Sequence, residues 1–236
     1  MRAVRKDLTW ECRAPPGHSP GSPVALVFDF DGVILESADL KTQVFAELFR
    51  HKADHLPAIL DLHQRLGGVC RYRKFDMIHR DILRWPLDEI ERQQLGQRFA
   101  ALVAASIDAC PFVPGALEFL IEWAGRTPMF VASGTPDDEL RSIVRRRGLE
   151  RFFVEVHGSP RQKPEIINDL LQRHGLAASE VVFIGDSQTD YQAAHETGLR
   201  FVGRRTVGAK ASFPAEVTGL PDLTGLALEL AAMFSC

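Results

Sequence analysis

Short, strongly apolar runs alternate with helix-patterned stretches along most of this chain, and that alternation constrains its fold more than any other feature. The first run, VALVFDF (Val24 to Phe30), is short and β-branched enough for a strand buried on both faces, as strands of parallel sheets are. PMFVAS (Pro128 to Ser133), FFVEV (Phe152 to Val156), VVFIG (Val181 to Gly185) and the shorter RFVG (Arg200 to Gly203) repeat the pattern. Helical periodicity covers Gly115 to Trp123, Asp137 to Arg147, Glu165 to His174 and Gln188 to Thr197. Strand and helix in alternation predict an α/β fold, a doubly wound parallel sheet with crossover helices on both faces.

One connection is too long for that plan. A crossover needs only about a dozen residues, yet the gap from Val33 to Pro111 holds several amphipathic helix candidates and no convincing strand. Residues 37–110 are therefore read as an inserted helical domain, with 24–36 and 111–236 forming the sheet core. Within the insertion Leu40, Val44, Phe45, Leu48 and Phe49 are spaced for one apolar helix face, and Ile90, Leu95, Phe99, Leu102 and Val103 for another. Ahead of the core, APPGHSPGSP (Ala14 to Pro23) breaks any periodicity, so residues 1–23 are expected to form a loosely ordered extension.

Charge and cysteine usage narrow the function classes. The 28 basic and 31 acidic residues leave a formal net charge of -3, so no global field draws the chain to nucleic acid or to an anionic membrane. Cys12, Cys70, Cys110 and Cys236 show no CxxC spacing, which suggests neither a disulfide framework nor a zinc site and fits a reducing cytoplasm. No stretch reads as a secretory signal or a membrane span.

Chemistry concentrates after the apolar runs. In DFDG, Asp29 and Asp31 stand at the end of the first run, where open α/β sheets bind ligands, and Gly32 permits a sharp outward turn. Asp and Gly after a strand also make plain turns. GDSQTD sets Asp186 directly after another run and Asp190 one helical turn on, although an Asp there also serves as an N-cap. Asp29 and Asp186 together make a hard-oxygen site suited to Mg2+. In VASGT, the Ser133 and Thr135 hydroxyls and the freely approached backbone at Gly134 can hold phosphoryl oxygens, as can the Lys163 ammonium in GSPRQKPE. A serine-glycine loop and a solvated lysine are the plainer alternatives.

The order of these features, acid pair, hydroxyl loop, lysine and acid pair, resembles the haloacid dehalogenase superfamily of aspartate-nucleophile phosphohydrolases. DFDGV looks like its first motif, FVASGT its second, Lys163 its third and GDSQTD its fourth, over about Val24 to Gly203. The long insertion is similar to the subgroup with helical caps, such as phosphoglycolate phosphatase and β-phosphoglucomutase, which implies a Rossmann-like core with a helical cap that closes over the site. The resemblance further implies a Mg2+-dependent phosphatase acting on a small phosphorylated metabolite through an aspartyl-phosphate. Asp29 would be the nucleophile and Asp31 the general acid-base. Ser133, Gly134 and Lys163 would hold the phosphoryl group, and Asp29, the Asp31 carbonyl and Asp186 would bind Mg2+ with Asp190 in support. GGVCRYRKF (Gly68 to Phe75) resembles the substrate-contacting loop of such caps, which offers Arg71 and Lys74 as specificity residues.

Two rival readings share the motifs. A phosphomutase keeps the same nucleophile and acid, and Ser37 sits at the cap hinge where that subgroup has a small hydroxyl residue, but Lys41 replaces the histidine expected there. A catalytically idle protein that senses phosphorylated ligands would not need the intact motif set. A true dehalogenase does not need Asp31, Asp186 and Asp190 together.

Overall fold

The computed structural model describes residues 22–205 and 213–235. The extension expected over 1–23 lies, but for its last two residues, outside them.

A single parallel sheet organises the core. Its strands are β1 (Ala25–Phe28), β2 (Met129–Pro136), β3 (Glu155–Ser159), β4 (Val181–Gly185), β5 (Arg200–Arg204) and β6 (Gly219–Leu220), in the order β3-β2-β1-β4-β5-β6. The chain winds from β1 outward through β2 to β3 and then returns to the other side at β4, so the topology switches direction between β1 and β4. A crevice forms at the carboxyl ends there. Register across this point is set by Phe28, which pairs with both Val131 and Ile184.

Each central strand is buried on both faces, and alternate residues serve different cores. Leu26 and Phe28 join one cluster with Val131, Val182 and Ile184, while Ala25 and Val27 join another with Phe130, Ala132 and Phe183. Helices α5 (Ala116–Trp123), α6 (Asp137–Arg146), α7 (Lys163–His174), α8 (Gln188–Thr197) and α9 (Leu226–Phe234) supply the covering layers. Among these elements, β6 and α9 carry no counterpart in the sequence expectations.

Between β1 and β2 the chain inserts α1 (Ser37–Leu48), α2 (Leu56–Arg65), α3 (Arg71–Met77, extended by a wider turn over Ile78–Leu83) and α4 (Glu89–Ile107). Their apolar faces meet in an aromatic knot: Phe45 lies 5.1 Å from Phe99 and 5.7 Å from Phe75, ring to ring. Offset and edge-on rings add attraction beyond the area they bury. The two connections of the insertion pair with each other through a bridge between Leu35 and Phe112.

Two local expectations hold only in part. Only the last two residues of FFVEV lie in a strand: Glu150–Phe152 form a 3-10 turn, Val154 donates its amide to Met129, and β3 begins at Glu155. Phe152 and Phe153 are buried from the turn itself, Phe153 with its ring centroid 6.4 Å from that of Phe28. Apolar content there marks burial, not pairing. Ile90 leaves its stripe as well: it stands in the first turn of α4 and is exposed.

Candidate active site

Asp29 follows β1 and is almost fully buried, with its carboxylate accepting the Phe30 amide at 2.7 Å. Facing it at 3.0 Å is the Lys163 ammonium, carried by the first residue of α7. A reciprocal cap between Gln162 and Glu165 fixes that helix start, so the lysine is aimed by backbone hydrogen bonds and is not a solvated surface charge. Lys163 also pairs with Asp190 of α8. The other Asp190 oxygen accepts from the amides of Asp186 and Ser187 and from the Ser187 hydroxyl, at 3.2, 3.0 and 2.6 Å.

Ser187 is the N-cap of α8, which answers the alternative raised for Asp186: the helix is capped without it, and the Asp186 carboxylate is left to face the crevice. Gly32, at φ +77°, passes beneath it so closely that a Cβ there would lie 2.1 Å from Asp186 Oδ2. Here the glycine is required both by its left-handed backbone and by the approach of the carboxylate.

The electrostatics are those of a site short of positive charge. Burial pushes the Asp29 carboxyl up; Lys163 opposes this, Asp190 and Asp31 reinforce it, and the result is about 7. Burial, together with Asp190 and Asp29, holds Asp186 well above the usual carboxylate range. Lys163 behaves oppositely: burial disfavours its charge, but Asp190 and Asp29 outweigh burial and hold it above the ordinary lysine value. Asp29, Asp186 and Asp190 each offer an oxygen within 4.8 Å of the others. Since Asp190 is occupied by Lys163 and the Asp186–Ser187 segment, Asp29 and Asp186 are the pair able to hold a cation. The all-oxygen donor set and the charge deficit both fit Mg2+.

Asp31 is held differently. Its carboxylate accepts from Ser37 Oγ at 2.6 Å, Thr135 Oγ1 at 2.7 Å and Lys41 Nζ at 2.5 Å, and Lys41 also donates to Thr135 Oγ1 at 2.7 Å. Burial would raise this carboxyl, but the Lys41 ammonium and the two hydroxyls prevail and hold it below its ordinary value. No role was expected for Lys41 from the sequence. Its signal is legible in retrospect, because Ser37 and Lys41 are four residues apart on α1 and share a helix face immediately after the DFDG loop.

Ser133 is buried within β2, just after Ala132, where the register with β3 shifts, and its Oγ accepts the Thr135 amide at 3.2 Å. The next residue, Gly134, touches the insertion: a Cβ on it would lie 2.1 Å from the Gly68 carbonyl oxygen. The loop between α2 and α3 is thus pressed onto the sheet ends, with Thr189 Oγ1 donating to the Gly67 carbonyl at 2.7 Å. A cavity of about 780 Å³ lies between them, with Asp29, Asp31, Ser133 and Asp186 on the sheet side and Lys41, His63, Arg71 and Lys74 on the helical side.

Arg71 and Lys74 open α3 and share a buried face, as their spacing predicts. Their partners differ. The Arg71 guanidinium lies over the Phe99 ring and pairs with Glu139 of α6 at 2.5 Å, so this cavity-lining charge also joins the two halves of the molecule. Lys74 Nζ instead meets His63 Nδ1 at 3.1 Å and the His63 carbonyl at 3.2 Å.

A family model described as haloacid dehalogenase-like hydrolase matches residues 24–198. A phosphoglycolate phosphatase of Vibrio parahaemolyticus is 34% identical over 98 residues, 39% of this chain but only 42% of that enzyme, so this chain covers less than half its length. The phosphoglycolate phosphatase of Pectobacterium atrosepticum is 28% identical over 194 residues, covering 75% of this chain and 78% of its own. In structure, the magnesium-bound HAD-hydrolase YfnB of Bacillus subtilis superimposes with a TM-score of 0.65 at 19% identity, over 89% of this chain and 99% of that one. With most of its length matched by the family model and its fold shared with such a hydrolase, the chain belongs to the haloacid dehalogenase-like hydrolase family.

Proposed function

We propose that the protein is a Mg2+-dependent phosphatase that hydrolyses a small phosphorylated metabolite through an aspartyl-phosphate on Asp29. The observation that carries this reading is the set Asp29, Lys163, Asp186 and Asp190 gathered at the switch point of the sheet, with Asp31 two residues beyond the nucleophile and separately bonded.

Each residue then has a task its geometry suits. Asp29, held by the Phe30 amide and Lys163, presents a carboxylate oxygen to phosphorus. Ser133 and the backbone at Gly134 bind phosphoryl oxygens, and Lys163 offsets the charge that builds there. Asp31 protonates the leaving oxygen and afterwards takes a proton from the water that cleaves the phospho-enzyme. The ion pair with Lys41 favours the ionised form of Asp31, the form that activates water, and keeps an ammonium beside it for the opposite duty. Asp29, the Asp31 carbonyl and Asp186 would hold Mg2+, with Asp190 in support. When bound, the ion neutralises the carboxylates and withdraws charge from the phosphoryl oxygens.

Phosphate release from p-nitrophenyl phosphate, measured with and without Mg2+, tests the proposal. Activity should vanish in EDTA and return with Mg2+, whereas Ca2+, larger and taking more ligands, should inhibit. Full activity after metal stripping would sink the site as drawn. Asp31→Asn is expected to lose at least ~10²-fold in kcat, the low end for a positioned acid-base group. The deficit should be largest with poor leaving groups. An undiminished rate on an alkyl phosphate would remove Asp31 from acid catalysis.

The chain carries no helix, among the described residues, that is long and apolar enough to cross a membrane.

A further inference from the structure

One buried cation of the sheet core, Arg204, has no task in the chemistry above. It ends β5, is only 6% exposed and reaches the cavity wall. Its guanidinium is nonetheless almost fully engaged. Nη1 donates to the Gly32 carbonyl at 2.8 Å and to Glu36 Oε2 at 2.9 Å, Nη2 to Glu36 Oε1 at 2.7 Å, and Nε to the Pro221 carbonyl at 3.3 Å. These bonds take four of the five donors of an arginine, so little is left for a ligand. Gly32 and Glu36 mark the two ends of one turn: the first closes the DFDG sequence and the second immediately precedes α1.

That turn needs an outside hold. Gly32 sits at φ +77° and, lacking a Cβ, rotates more freely than any residue that could replace it. The peptide on its amino side carries the Asp31 carbonyl, one of the oxygens proposed for Mg2+. Leu35 holds that peptide by accepting the Gly32 amide at 2.8 Å. On the carboxyl side of the glycine the hold is Arg204. Gly185 of β4 pairs with Gly203 of β5, so Asp186 and Arg204 leave neighbouring strands side by side, with Gly32 packed against the one and bonded to the other. A buried arginine–carboxylate pair contributes little to stability compared with an apolar replacement of similar volume. What its planar fork does fix is direction.

We propose that Arg204 is a positioning residue of the Mg2+ site: by clamping the Gly32 carbonyl and Glu36 it sets the Asp31 carbonyl against the Asp186 carboxylate, and Mg2+ affinity depends on that clamp. This rests on the metal site of the phosphatase reading above and adds to it a residue that touches neither the ion nor the substrate. Groups that orient metal ligands in this way govern affinity because a ligand free to turn must be ordered when the ion arrives. The insertion starts at the residue after Glu36, so the same guanidinium also ties the base of α1 to the sheet.

Calorimetric titration of the full chain with Mg2+, after stripping with EDTA and without any substrate, reads the effect directly. Arg204→Met should raise the Mg2+ Kd by ~10- to 100-fold, the range typical of losing a group that orients metal ligands. Arg204→Lys keeps the charge but replaces the fork by a single ammonium, so its Kd should fall between those of wild type and Arg204→Met. A near-ultraviolet spectrum matching that of wild type at the titration temperature shows each variant folded. A merely structural role would lower the thermal midpoint in EDTA and leave the Kd of the folded protein where it was. Should Arg204→Met fail to fold, Arg204→Lys decides by the same measure. An unchanged Kd in the folded variant overturns the assignment, while Mg2+ binding by wild type leaves the metal site standing. Absence of Mg2+ binding by wild type overturns the metal site and the assignment with it.

Discussion

Asp29→Asn is expected to bring phosphate release below detection in a protein that remains folded. The amide matches the carboxylate in shape and keeps an oxygen for the Phe30 amide, 2.7 Å away in the native site, but it is not a carboxylate nucleophile. The pH dependence of stability gives an independent check. In the metal-free protein Asp29 binds its proton up to about 7, against 3.8 for the ordinary carboxyl, mainly through burial and despite Lys163. Between these values the folded state holds more protons than the unfolded one, so stability falls as pH rises from about 4 to about 7. Asp29→Asn removes that titration. Urea midpoints measured in EDTA should therefore fall less steeply with pH in the variant than in wild type. Parallel slopes would show that Asp29 does not carry a raised pKa, and measurable turnover by a folded variant would remove it as nucleophile.

Lys163→Met should cost both activity and stability. The ammonium lies between Asp29 and Asp190, all three nearly inaccessible to solvent, and its removal leaves two buried carboxylates without a cation. Breaking a buried pair from one side typically costs ~3–5 kcal/mol, because the remaining charge stays desolvated. A second substitution separates this from loss of packing. Asp190→Asn keeps an oxygen for the Asp186 and Ser187 amides while discarding the charge that faces Lys163. The double variant should therefore be more stable than Lys163→Met alone, yet equally inactive, since no ammonium meets the phosphoryl group. Additive losses in a double-mutant cycle would mean that Lys163 acts by volume, not by charge.

The sheet was legible because its strands are short, apolar and bounded by turn-forming residues, and because parallel strands buried on both faces look alike wherever they occur. Asp29 and Asp186 stood out for the same reason: each directly follows such a run. What escaped notice depends on partners distant in sequence. Arg71 and Lys74 share a helix face, and their spacing shows it, but only one meets Glu139, 68 residues away. No local pattern distinguishes a lysine that ends beside a carboxylate from one that ends beside a histidine. Lys41 was visible at the hinge as a departure from a mutase pattern, yet its bond to Asp31 requires the turn at Gly32 to fold α1 back over the loop. Phe152 and Phe153 misled in the opposite direction, since burial in a turn and burial in a strand call for the same residue types.

Where the loop between α2 and α3 meets the sheet ends, the insertion presents peptide backbone: the Gly68 carbonyl against Gly134, and the Gly67 carbonyl beneath a threonine hydroxyl. A joint made of main chain is indifferent to the side chains behind it. Side chains of the insertion that make no bond to the core can therefore be exchanged without this contact being recut. Descendants of such a chain can change what they accept by altering one half while inheriting the other half, and the seam between them, intact.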